Sequence, residues 1–307
     1  MIKNSFYILL AGCSFGILST IVKIEYGKGY TLGDISGAQA LFGAIILWLF
    51  FIVMYKKATK DKSPAAPREK NSIAKLLATG AVSGLISICY YKCVHLIPAS
   101  IAIILLMQYT WMSMLIEKLF FKSSMNKKQI LCVGLILIGT ILAAGLLKDK
   151  EGIHPLPIEG IVYGLLGGLF YAIFIIANGR VGNHFTSLKK SSIISIGMCI
   201  MVFAIFPPSF IWNGTFSNVM QWGFPLAIFG TVLPPILFAI AIPRIGIPLS
   251  SILSSVELPT AVILAYFILK EDVDYVQVIG ILLILSSIVI INVKDRSMAT
   301  MDLRRAE

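Results

Sequence analysis

The chain has 307 residues, of which 57% are hydrophobic and only 13% charged, with a mean hydropathy of +0.88. Soluble domains carry about 25% charged residues, so there is too little polar surface here to cover a water-soluble globule. The net charge of +11 does not imply nucleic acid, because the Lys and Arg residues sit in the gaps between apolar runs and do not gather on one face.

Apolar runs long enough to cross the roughly 30 Å hydrocarbon layer as helices recur from end to end. In chain order they predict spans at 5–22, 34–55, 74–91, 99–121, 129–147, 160–178, 191–212, 223–242, 248–269 and 276–293. The expected fold is therefore an all-α integral membrane protein with ten transmembrane helices. The longest connection, Lys56 to Ile73, carries six Lys and Arg with Pro64 and Pro67 and reads as a solvated linker. With the N-terminus inside, alternate connections on the inner side hold roughly three Lys or Arg for every one outside, which predicts that both termini are cytoplasmic. The expected location is the cell membrane.

Other local signals are weaker. Leu10-Ala11-Gly12-Cys13 has the look of a lipoprotein cleavage site, but its apolar core, Phe6 to Leu10, is shorter than the seven or more residues a signal peptide needs. Asn213-Gly214-Thr215 is a glycosylation sequon that matters only in a eukaryotic secretory pathway. Cys89, Cys93 and His95 lie close enough in sequence to hold a soft metal, yet packed thiols are the simpler reading, and no metal or cofactor is expected.

The two halves resemble each other. Tyr7 to Ile17 aligns with Tyr163 to Ile173 at a constant offset, matching Gly12 with Gly168 and Phe15 with Tyr171; Ile97-Pro98-Ala99-Ser100 echoes Ile247-Pro248-Leu249-Ser250; Gln129 to Ile138 echoes Gln277 to Ile284. Five crossings per half is an odd number, so the second copy enters the membrane upside down. That is the inverted-repeat plan of secondary transporters, whose halves form a site near the midplane and open alternately to each side.

These residues also carry a family likeness. Ile97-Pro98-Ala99-Ser100, the stretch from Ile247 through Glu257-Leu258-Pro259 to Glu271, and Gln277-Val278-Ile279-Gly280 make the chain similar to the EamA family of the drug/metabolite transporter superfamily. The resemblance implies two repeats, 1–147 and 158–294, followed by a cytoplasmic tail, 295–307. It implies a secondary transporter of small metabolites, amino acids or related compounds, with efflux the commoner direction. The family's Glu-Pro pair is interrupted here by Leu258, and the first half lacks the equivalent proline, carrying Gln108-Tyr109-Thr110-Trp111 instead.

Candidate pathway residues follow from the cost of placing polar groups in hydrocarbon. Glu257 is the deepest acid and continues a stripe with Ser250 and Ser254; Pro259 marks a helix break near it. A role in binding substrate or protons competes with a structural hydrogen-bonding role. In the fourth span Thr110, Ser113 and Glu117 form a second stripe, with Gln108, Tyr109 and Trp111 beside it, and Glu117 is expected in the solvated interface next to Lys118. Tyr90, Tyr91, Tyr171 and Asn178 can offer aromatic faces or hydrogen bonds to a ligand, with packing and interfacial anchoring as the competing reading for the aromatics. Expected partners are the lipid bilayer, a small-molecule substrate and protons; a homodimer is left open.

Nothing in the sequence supplies an energy source of its own. There is no GxxxxGK[ST] phosphate loop, so transport is expected to be facilitative or proton-coupled. An intramembrane enzyme would need a nucleophile with its base or paired carboxylates, and neither pattern occurs. A channel or a non-transporting sensor or scaffold is the remaining alternative.

Overall fold

The computed structural model describes residues 2–58, 71–122, 126–143, 157–212, 216–270 and 275–292. These residues fold into helices α1 (Ile2–Gly27), α2 (Leu32–Ala58), α3 (Ser72–Leu96), α4 (Ala99–Met107), α5 (Tyr109–Phe121), α6 (Lys127–Ala143), α7 (Ile158–Arg180), α8 (Ser187–Ile205), α9 (Ser209–Trp212), α10 (Phe216–Ala227), α11 (Leu233–Ile245), α12 (Ile247–Ser254), α13 (Glu257–Leu264) and α14 (Tyr275–Asn292). Eight stretches of helix are long and apolar enough to cross a membrane, the broken pairs α4–α5, α10–α11 and α12–α13 each counting once; Tyr275–Ile291 is a shorter apolar helix. Large apolar side chains such as Leu49, Ile52 and Val53 on α2 and Leu119 and Phe120 on α5 point outward with no protein over them, as lipid-facing positions do.

The packing follows a pattern. α3 lies against α7 and α8, and α1 lies against α11 and the broken pair α12–α13. α2 packs on α8 and α10, α4 and α5 on α7, and α6 on α14. Close approach is made by glycines, as expected where hydrocarbon offers helices no hydrophobic drive to associate. At the α3–α8 crossing, a Cβ on Gly80 would stand 1.9 Å from the Ile194 carbonyl oxygen, and one on Gly197 would stand 2.1 Å from that of Leu77. Gly139 on α6 meets the Gly280 carbonyl of α14 in the same way, at 2.8 Å.

Helix breaks have local causes. Pro207 and Pro208 end α8 at Ile205, so the seventh expected span, 191–212, is shorter than its apolar run; residues 206–208 leave the helix before α9 begins. Pro234 and Pro235 remove two donors at the start of α11, and the preceding Ile228–Val232 relaxes into a π-helical turn. The linker prolines, the sequon, Lys148, Lys150, His154, the acidic turn Glu271 to Asp274 and the tail 295–307 lie outside the described residues.

Candidate functional site

Two broken helices meet near the centre of the bundle. In the second half, Pro259 cannot donate to the Ser255 carbonyl, and the chain tightens instead: the Leu258 N–H takes that carbonyl at 3.2 Å, and the Ser255 and Val256 N–H groups bond to Ile252 and Leu253. The break therefore leaves no bare carbonyl at Ser255, whose oxygen is taken up by an i→i+3 bond. The first half breaks at the matching place without a proline. Gln108 does the work, its Nε2 donating to the Ile104 carbonyl at 3.0 Å while its Oε1 accepts from Trp111 Nε1 at 2.8 Å.

Each break rests on glycines from the opposite half. A Cβ on Gly12 of α1 would lie 2.9 Å from the Ser254 carbonyl oxygen, and one on Gly16 would lie 2.7 Å from that of Glu257. On α7, a Cβ on Gly168 would lie 3.0 Å from the carbonyls of both Leu105 and Leu106. Gly12 and Gly168 are the positions that the internal alignment pairs.

Glu257 stands at the start of α13 and is 2% exposed. Tyr171 donates to its Oε2 at 3.4 Å. Tyr171 stacks on Tyr109 with centroids 4.2 Å apart and meets Phe15 edge-on at 5.5 Å. Tyr91 donates to Gln39 Oε1 at 2.5 Å. The hydroxyls of Tyr90, Tyr109, Thr110 and Ser254 are buried without a hydrogen bond of ordinary geometry, although Ser19 lies beside Tyr90 and Ser254 beside Tyr109. A group of buried polar atoms left unsatisfied calls for a water, an ion or a ligand to complete it.

Beside these groups lies a cavity of about 40 Å³, room for about two or three water molecules. Glu257, Tyr90, Tyr91 and Tyr171 line it, together with Phe15 and Leu18 from α1, Gln39 from α2, Ser83, Ile86 and Ser87 from α3, Leu106, Phe174 and Gly230. Of the residues predicted from sequence, Tyr109 and Ser254 sit behind this wall. Trp111 is half-buried and held by Gln108. Ser250 is turned back onto the Gly246 carbonyl at 2.7 Å, and Ser113 bonds to Ser251 at 2.7 Å, joining α5 to α12. None of Gln108, Tyr109, Trp111, Ser113, Ser250 and Ser254 borders the cavity.

One further expectation is corrected. Glu117 is not solvated: its side chain is 6% exposed and forms an ion pair with Arg180 Nη2, with Arg180 Nε also donating at 3.3 Å and the guanidinium 3.8 Å from the Phe121 ring centre. Desolvation of the carboxylate is offset by a two-point guanidinium contact that the sequence separation of 63 residues hid. Asn178 lies beside this end of the bundle and not in the cavity; its carbonyl accepts from Lys190 Nζ, which also reaches Asn183 Oδ1 at 2.9 Å. Lys190 itself is 1% exposed on α8, where it satisfies a carbonyl near the C-terminus of α7. Cys89 and Cys93 face the glycines of α7, whereas His95 stacks on Tyr26 at 4.7 Å, and no group of three metal-ligating side chains occurs among the described residues.

A membrane-embedded bundle with a polar, carboxylate-bearing centre between two broken helices defines the class to which comparison should point. The EamA-like transporter family model matches residues 3–145 and again 158–293, and the chain belongs to that family, as a multi-pass membrane protein. No curated protein matches it. Among solved structures, one described only as the crystal structure of a protein superposes with a TM-score of 0.67 over 99% of this chain and 98% of its own, at 13% identity, a likeness of fold alone.

Proposed function

We propose that this protein is a secondary transporter of small metabolites, amino acids or related compounds, working by alternating access between two inverted five-helix repeats, 1–147 and 158–294. The observation that carries the reading is the pair of broken helices, each seated on glycines of the opposite half around one cavity that holds Glu257. Matched discontinuous helices at a repeat interface are where such carriers place their sites.

The packing supports the repeat. If the ten expected spans are numbered in order and each is exchanged with the one five places on, α3 against α7 becomes α11 against α1, α3 against α8 becomes α10 against α2, and α7 against α4–α5 becomes α1 against α12–α13. The remaining pairs, α2 with α8 and α6 with α14, exchange with themselves. All of these pairs are in contact. In this reading α6 and α14 complete ten crossings, both termini are cytoplasmic in the cell membrane, and export is the direction favoured by the family likeness.

The cavity in this conformation is far smaller than the roughly 300 Å³ at which ligand pockets begin, so cargo requires the halves to move. Coupling is facilitative or uses protons exchanged at Glu257. Saturable, trans-stimulated uptake into proteoliposomes across a panel of metabolites tests the reading; unsaturable flux would identify a channel, and no flux of any compound would leave a sensor or scaffold.

A further inference from the structure

The chemistry of the cavity wall selects among small metabolites. Its one charged side chain is Glu257, and no Lys, Arg or His borders the space. The ion pairs among the described residues lie elsewhere: Lys28 with Glu25, Lys92 with Glu159, and Arg180 with Glu117. Among the described residues, an ionised Glu257 therefore has no cationic side chain to balance it, and an unpaired charge in such a site is strongly disfavoured. A proton can remove that charge when the site is empty. A cationic ligand can do the same when it is full.

The rest of the wall suits the second solution. Phe15, Tyr90, Tyr91, Tyr171 and Phe174 bring five aromatic rings to the cavity, and a ring face attracts a desolvated ammonium through the ring quadrupole. The oxygens of Ser83 and Ser87 add neutral acceptors. Strong carboxylate recognition draws on a guanidinium, an ammonium or a set of free backbone N–H groups, whereas the Gln39 amide and the tyrosine hydroxyls of this wall offer only neutral donors. No cationic side chain is present in the wall, and the Ser255, Val256 and Leu258 N–H groups at the break are engaged within the chain.

We infer that the central cavity binds small organic cations, primary to quaternary amines, with Glu257 as the counter-ion and the surrounding aromatic rings as the cage, and that it disfavours carboxylates, including zwitterionic amino acids. The inference rests on the proposed transport site, and among the small metabolites proposed there it selects amines and sets amino acids aside. Proton and amine then compete for one carboxylate, so a bound amine displaces a proton.

The test is equilibrium binding of radiolabelled 2-phenylethylamine to the purified full-length protein in lipid nanodiscs, with 2-phenylethanol, phenylalanine and phenylacetate as competitors. The amine is expected to bind, each competitor to be at least tenfold weaker than unlabelled amine, and Glu257→Gln, which keeps shape and removes charge, to weaken amine binding at least tenfold. Absence of amine binding, equal competition by the alcohol or the zwitterion, or unchanged affinity in Glu257→Gln overturns the inference. The competitor series in the wild-type protein decides alone if the variant does not fold. Flux in proteoliposomes separates this from the broader reading: transport of zwitterions without amine binding leaves a carrier and removes the cation site, whereas amine binding with no flux of any compound keeps the site and removes the carrier.

Discussion

Removing the Glu117 charge probes whether the two halves are latched at one end of the bundle. Glu117 lies on α5 and Arg180 at the end of α7, so this pair bridges the halves, and Ser113 with Ser251 joins them one turn deeper. A buried carboxylate 6% exposed faces a guanidinium 40% exposed. A fully exposed pair is worth up to about 1 kcal/mol, and breaking a fully buried one costs about 3 to 5 kcal/mol, so this intermediate case is placed at about 2 kcal/mol. If the pair forms only while that end is closed, Glu117→Gln shifts the closed-to-open ratio about thirtyfold. The assay is thiol labelling of Ser113→Cys in a background free of Cys13, Cys89, Cys93, Cys132 and Cys199, using an impermeant reagent on the side that the proposed orientation makes cytoplasmic. Labelling should speed up by roughly that factor in Glu117→Gln and return towards the starting rate in the charge-swapped pair Glu117→Arg with Arg180→Glu. Unchanged labelling in Glu117→Gln, with no rescue by the swap, refutes the latch.

Glu257→Gln is expected to abolish transport or to leave flux independent of pH if Glu257 exchanges protons; a pH profile identical to wild type would remove the proton role. Gly16→Ala places a Cβ 2.7 Å from the Glu257 carbonyl and from Thr260 Cβ, so binding at the cavity should fall while the protein still purifies as a single species. Gly80→Leu should lower the melting temperature or prevent folding, because backbone stands where its side chain would begin, an overpacking cost of about 3 kcal/mol or more. Tyr91→Phe, losing the bond to Gln39, should cost about 1 to 2 kcal/mol in stability by denaturant melt.

How much of this was legible in the sequence depended on whether the signal was local. Hydropathy placed the helices, since burial of the backbone in hydrocarbon forces long apolar runs to be helical. The repeat was readable because Gly12 and Gly168 keep their spacing to nearby aromatics. Glu257 stood out for a similar reason, an acid amid apolar residues. The break at Gln108 was not readable as a matched kink, because a side-chain amide produces it and leaves no proline signature. Gln39 was missed although it too is a lone polar residue in an apolar run; only the fold places it opposite Tyr91. Phe15 and Phe174 look like packing residues in any helix, and nothing local distinguishes a ring facing a cavity from one facing a neighbour. Glu117 read as an interfacial charge beside Lys118, since its pairing with Arg180 exists only once α5 and α7 are side by side.

The glycine seams give a physical reason for the halves to move together. α1 belongs to the first half yet supports the break of α12–α13, and α7 belongs to the second yet supports the break of α4–α5. Any rocking of one half against the other slides both seams at once, because neither break can follow its own half without leaving the glycines beneath it. Side chains interlocked at those seams would resist such sliding by the cost of repacking, whereas a glycine face presents backbone to backbone and loses little. The cavity lies between the seams and includes residues from both halves, Phe15 and Tyr90 from one and Tyr171 and Glu257 from the other. A displacement that parts the seams on one side must therefore also separate Tyr171 and Glu257 from Phe15 and Tyr90. Widening of the 40 Å³ space and movement of the helices are then one event, which is the coupling that an alternating-access carrier requires.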